Sequence, residues 1–137
     1  MAKIFAPKGF TIAKDDVPVF SAPPYEAQWA QWAGAALAFE RVPGGFPRDP
    51  EGDVLWDGLE DKRCQCPHFG YLVKGRALMR LPDGTETFIN QGDLYYAPPG
   101  HRVYALEDFE NIEFNPDVKA AEDAMDAFSR NAKKAHD

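Results

Sequence analysis

The stretch Gly92-Asp93-Leu94-Tyr95-Tyr96-Ala97-Pro98-Pro99-Gly100-His101 reads as a short strand held between two chain-breaking signals. Gly92 accepts the positive φ of a turn, and the proline pair with Gly100 stops the strand, so His101 stands at the rigid start of the next one. The same texture extends on both sides. Proline and glycine recur at short intervals, and the apolar segments between them are too short for helices. Strands are expected at about residues 69–73, 77–81, 85–89, 94–97, 103–106 and 111–114, with Pro82-Asp83-Gly84 as the turn between the second and third. Upstream, residues 27–31 and 36–42 read as two further strands hinged near Ala33-Gly34, and residues 43–60, rich in Gly, Pro and Asp, as a long loop that covers one end of the sheet structure.

After Phe114 the period changes. Asn115 is expected as the N-cap of a helix, with Pro116 at its first position and Asp117 behind it. Val118, Ala121, Met125, Phe128 and Ala132 then form one apolar stripe, and acids (Glu122, Asp123, Asp126) precede bases (Arg130, Lys133, Lys134) as the helix dipole favours. The chain of 137 residues, 45% hydrophobic and 13% aromatic, suits one domain spanning 1–137. Its core is expected at about 36–115, with an N-terminal extension over 1–35 and the helix over about 116–134.

Fifteen Lys and Arg against 22 Asp and Glu give a net charge of −7 without a basic stripe, which argues against a nucleic-acid partner. No apolar run approaches the roughly 20 residues of a membrane span, and the first ten residues lack a secretory signal's apolar stretch. A soluble, cytoplasmic protein is expected, and two cysteines suit that compartment.

Ligand-type side chains concentrate in Cys64-Gln65-Cys66-Pro67-His68. On an extended chain Cys64, Cys66 and His68 point to one face. A disulfide between residues two apart on a strand is unfavourable, because their Cα atoms stand about 6.6 Å apart. Thiolate with imidazole suits zinc, iron or copper better than calcium or magnesium. The plainer alternative stays open: buried cysteines acting as small hydrophobes around a hydrogen-bonded core histidine.

On these two segments the sequence resembles the cupin superfamily, with Cys64 to Gly75 similar to its first conserved motif and Gly92 to Tyr104 to its second. Gly-Asp-x-x-Tyr-x-Pro-Pro-Gly-His is the most specific part, and Cys-Gln-Cys-Pro-His-Phe-Gly-Tyr-Leu-Val-Lys-Gly resembles a bacterial subgroup of unassigned activity. The resemblance implies an all-β, single cupin-type β-barrel (a double-stranded β-helix or jelly roll) with a C-terminal α-helix. It also implies a ligand set that this chain lacks. His68 falls where the family has a glutamate, Cys64 and Lys62 where it has histidines, and Val103 where the second motif has its histidine, with His101 two residues earlier.

The expected site is therefore a rearranged one: His68, His101, Cys66 and Cys64 around a divalent transition metal ion, zinc or iron, with Glu40 or Glu113 as a carboxylate if their strands face the cavity. Gly70 is expected to leave space beside His68, and Tyr95 or Tyr96 to line the wall. The functional expectation is a metal-binding cupin with a small-molecule pocket, taking a small polar or carboxylate substrate. The alternative is a metal-free small-molecule-binding or sensing cupin. A homodimer is expected, paired through an exposed strand edge and the apolar stripe of the helix.

Overall fold

The computed structural model describes residues 1–51 and 54–137, so Gly52 and Asp53 of the expected long loop lie outside the described residues. Its strands are β1 (Val19–Ala22), β2 (Tyr25–Trp32), β3 (Ala35–Val42), β4 (His68–Lys74), β5 (Arg76–Arg80), β6 (Glu86–Asn90), β7 (Leu94–Ala97), β8 (Arg102–Ala105) and β9 (Phe109–Asn115), followed by helix α1 (Val118–His136). They form two antiparallel sheets, one of six strands in the order β1-β2-β3-β9-β4-β7 and one of three in the order β6-β5-β8. The expected strands are all present, although the large sheet begins upstream of residue 36, because β1 and β2 belong to it.

Local chemistry explains the turns. Ala33 and Gly34 both have positive φ (52° and 81°), the requirement of a two-residue hairpin loop between β2 and β3. Between β5 and β6, Gly84 N–H donates to Leu81 O (3.0 Å) and Thr85 N–H to the Asp83 carboxylate (2.9 Å), as the Pro-Asp-Gly signal predicts. Gly75, at φ 92°, links the two sheets through β4 and β5. A Cβ there would collide with the Asp108 carbonyl oxygen and stand 2.7 Å from Phe109 Cα.

From residue 111 onward, strand β9 is polar on its inner side and apolar on its outer side. Asn111, Glu113 and Asn115 are buried, whereas Ile112 and Phe114 between them are exposed. This reverses the usual alternation of a half-buried strand. Between the sheets, Leu72, Ala77, Met79, Ile89, Ala97, Ala105 and Phe109 make one apolar core. A second forms where α1 and the 43–60 loop close over β2 and β3. There Phe128 stacks on Tyr25 (centroids 4.2 Å, 15°) and meets Trp56 edge-on (5.3 Å).

Two helix expectations are corrected. The N-cap is Asp117, whose carboxylate accepts from Ala120 N–H at 3.0 Å, while Asn115 is the last residue of β9 with its side chain buried. Strand pairing with Ala36 carries the chain in extended form through Asn115, so helical φ and ψ begin two residues later than the sequence signal suggests. The apolar stripe, Ala121, Met125 and Ala132 among it, packs on the chain's own sheet and loop and is not open to a partner. Among the described residues no helix is long and apolar enough to cross a membrane.

Gly75→Ala is expected to cost about 2–3 kcal/mol, because a positive φ and a backbone collision coincide. Gly84→Ala, at φ 88° but with open space around it, should cost only about 1 kcal/mol. Urea midpoints of the two variants check this ranking, and equal losses would contradict it.

Candidate metal centre

Three elements converge on the site. Cys64 follows the short helical turn Glu60–Lys62, in which Asp61 and Lys62 adopt positive φ (54° and 51°). An isolated antiparallel bridge then sets Cys64 opposite His101: Cys64 N–H donates to His101 O (3.3 Å) and Gly100 N–H to Cys64 O (2.7 Å). The Arg102 guanidinium ties down the approach through Lys62 O (2.8 and 3.1 Å). His68 opens β4 and reaches the same place from the large sheet.

Among the described residues, Cys64, His68 and His101 bring one ligand atom each within 4.8 Å of one another. The Cys64 Sγ to His68 Nε2 distance is 3.6 Å. That matches the edge of a tetrahedron with Zn–S near 2.3 Å and Zn–N near 2.1 Å, about 3.6 Å. The imidazoles meet edge to face, with centroids 4.8 Å apart. Cys66 is not in this group. The chain bends between Cys64 and His68 instead of running extended, and Cys66 Sγ faces Pro67 O (3.6 Å) and the Asn115 amide oxygen (3.7 Å). Both thiols are free and buried.

Both histidines have Nδ1 engaged by a group other than the candidate ligands. His101 Nδ1–H donates to Pro98 O at 2.7 Å. His68 Nδ1–H donates to Asn115 Oδ1 and stands 3.4 Å from Glu113 Oε2. The Asn115 amide is oriented by Ala36 O, which accepts from its Nδ2 at 3.5 Å. With Nδ1 held in this way, Nε2 is the nitrogen each ring can turn to a metal, as metal-ligating histidines do, and on His68 it faces the Cys64 thiol, so that a metal would take the place of the proton between them. One sulfur and two nitrogen donors suit zinc or iron, and three protein ligands leave an open position. The residues present therefore fit such an ion.

A buried polar chain continues from His68 across the interior. Tyr95 O–H donates to Glu113 Oε1 (2.7 Å), Asn111 Nδ2–H to Tyr95 Oη (2.7 Å) and to Glu40 Oε1 (3.1 Å), and Tyr25 O–H to Glu40 Oε2. Both Glu40 and Glu113 thus face the interior. Tyr95 is the inward tyrosine, and Tyr96 stacks outside on Phe69 (4.9 Å). The space beside Gly70 is not cavity, because the Tyr95 ring fills it and a Cβ on Gly70 would overlap that ring.

Burial raises the Cys64 thiol, but His101 and His68 beside it outweigh this and bring it down to about 6. Burial lowers His68, yet Glu113 and the thiols of Cys64 and Cys66 overcome it and hold the imidazole well above its usual range. Burial and the neighbouring Glu113 charge push Glu40 well up. The triad opens on a cavity of about 80 Å³. By that measure a water takes about 10–15 Å³, so the space suits a ligand of a few heavy atoms. Its remaining lining is mostly apolar, with Phe46, Leu55, Trp56, Met125 and Phe128 closing it from the loop and α1.

No protein-family model and no curated protein sequence matches the chain. Solved structures do. The iron(II) form of HppE has a TM-score of 0.58 at 12% identity over 79% of this chain and 60% of that one. An RmlC-like cupin from Shewanella frigidimarina has 0.57 at 11% identity over 79% and 90%. Oxalate decarboxylase has 0.55 at 16% identity over 79% and 29%. The chain thus spans less than two thirds of the length of HppE. The chain has the cupin fold, as the resemblance implied.

Asn115 was missed as a site residue because its position before Pro116 mimics a helix cap. The signal was the spacing Asn111-x-Glu113-x-Asn115, a polar alternation normally assigned to a solvent face. In chelator-treated protein the thiolate absorbance of Cys64 is expected to titrate near pH 6, present above that pH and lost below it. His68→Ala should move the midpoint up towards the usual thiol value. A midpoint near 9, the ordinary thiol value, in the unsubstituted protein would refute the electrostatic reading.

Proposed function

We propose that this chain is a metal-binding cupin in which Cys64, His68 and His101 hold one divalent transition metal ion, zinc or iron, beside a small-molecule pocket. The observation that carries the reading is the pair of outward-anchored histidines, both with Nδ1 fixed and Nε2 turned to the Cys64 side. When bound, the ion supplies Lewis-acid polarisation of a ligand in the open position. The chain's own residues do the rest. Glu113 and Asn115 keep the proton on His68 Nδ1, Pro98 O does so for His101, and Trp56, Met125 and Phe128 exclude water. Cys66 is outside this ligand set and supports it through Asn115. Two free thiols support a reducing, cytoplasmic setting.

About one metal ion per chain is expected in protein purified without added metal. His68→Ala and His101→Ala should each bring it below about one tenth, and Asn115→Ala should weaken binding about 10–100-fold by freeing the His68 ring. Less than about one tenth of an equivalent in the unsubstituted protein, with thermal stability unmoved by added zinc or iron, would leave the metal-free binding reading instead.

A homodimer belongs to the same proposal, with the outer face of the large sheet as its surface in place of the helix stripe, which packs within the chain. The outer face of the large sheet exposes Leu37, Phe69, Tyr71, Leu94, Tyr96, Ile112 and Phe114, neighbours through the registers of β3, β9, β4 and β7. At about 150–250 Å² per aromatic side chain, their exposed fractions amount to roughly 650 Å². That exceeds the roughly 300–600 Å² patch of an ordinary monomer and approaches the ~800 Å² each partner buries in a standard interface. A second copy of the chain, set face to face about a two-fold axis, covers it. Sedimentation at micromolar concentration should show a dimer and Phe114→Glu a folded monomer, whereas a monomeric parent protein would refute the pairing.

A further inference from the structure

Gly70 lies inside β4, where a glycine weakens a strand, and its φ is not positive, so the backbone does not call for it. Its neighbours do. In the register of the large sheet Gly70 stands opposite Tyr95 of β7 on one side and opposite Glu113 of β9 on the other. Those two residues are therefore two strand spacings apart, about 10 Å. A Cβ on Gly70 would overlap Tyr95 Cζ and Oη and stand 2.6 Å from Cε1, so the ring lies directly over the glycine. The Tyr95 side chain thus crosses β4 at a position with no side chain of its own, and its hydroxyl reaches Glu113 Oε1 at 2.7 Å.

The direction of that hydrogen bond is set from the far side. Asn111 Nδ2–H donates to Tyr95 Oη at 2.7 Å, so the phenol accepts there and turns its one proton to Glu113. Burial, and after it the Glu113 and Glu40 carboxyl groups, raise the Tyr95 hydroxyl, which keeps this proton at neutral pH. With Glu113 Oε1 held by Tyr95, the second oxygen stands 3.4 Å from His68 Nδ1.

We infer that Tyr95, lying in the gap left by Gly70, is a positioning residue for the metal centre: it sets the Glu113 carboxylate against His68 and thereby the strength of His68 as a ligand. This rests on His68 being a ligand in the proposed site.

Tyr95→Phe keeps the ring over Gly70 and removes only the hydroxyl. Two measurements on the full chain follow its effect: the imidazole N–H resonances of His68 and His101 in chelator-treated protein at neutral pH, and zinc affinity by competition with a chromophoric chelator. In Tyr95→Phe the His68 Nδ1–H resonance should move while that of His101, held by Pro98 O, stays in place. Zinc should bind about 5–10-fold more weakly, a smaller loss than removal of a direct partner of the ring causes. Gly70→Ala, which pushes the ring aside, should give the same two changes, and the double variant no further loss of zinc affinity. An unmoved His68 resonance or an unchanged zinc affinity in Tyr95→Phe, equal movement of both histidines, or losses that add in the double variant would overturn the inference. The two readings fail separately. A His68 resonance that responds in protein binding no zinc upholds the coupling of Tyr95 to His68 while the metal proposal fails, and full zinc binding with an unmoved resonance does the reverse.

Discussion

Strand β9 brings Asn111, Glu113 and Asn115 into an otherwise apolar interior, and the hydrogen-bonded chain they build is the constraint that organises the site. Buried amides and carboxyls are costly unless paired. Each residue of this strand accordingly recruits a partner: Asn115 takes His68, Glu113 takes Tyr95 and His68, and Asn111 takes Glu40 and Tyr95. The chain is satisfied nearly to its end. At Asn111 it leaves one oxygen over.

The same inversion shapes the outside. Where the inward positions of β9 are polar, from Asn111 on, the apolar residues between them point away, and Ile112 and Phe114 join Leu37, Phe69 and Tyr71 on the outer face of the large sheet. Interior polarity and exterior apolarity are two results of one alternation. A lone domain gains nothing from the outer patch, whereas the proposed pair of copies would bury it. The pocket and the proposed dimer are thus linked through the register of a single strand.

Local geometry around the ligands shows a division of labour. The bridge between Cys64 and His101 fixes one sulfur against one imidazole through the backbone, independently of side-chain packing. His68 arrives from the other sheet and is aimed only by Asn115 and Glu113. Cys66 completes this support from behind, through the Asn115 oxygen. In the proposed site this anchoring takes the place of the ligand positions that the cupin resemblance implies.

Much of the architecture was legible in the residues themselves. Glycine and proline have few backbone conformations to choose from, so Gly92, Pro98-Pro99-Gly100 and Pro82-Asp83-Gly84 announced their turns, and short apolar segments between them could only be strands. Cys64, Cys66 and His68 were expected on one face of an extended chain, with His101 added by the family resemblance; the structure gathers Cys64, His68 and His101 across a bend instead. What tertiary structure alone decided was which side of each strand became the interior. Alternation makes two faces without naming the buried one, and that choice depends on what packs across from it. It placed Asn115 inside instead of at a helix cap, filled the Gly70 gap with Tyr95, turned Cys66 aside through a bend, and brought Trp56 from a distant loop to the cavity that Asn111 also lines. Contacts between residues so far apart in the chain leave no local pattern to read.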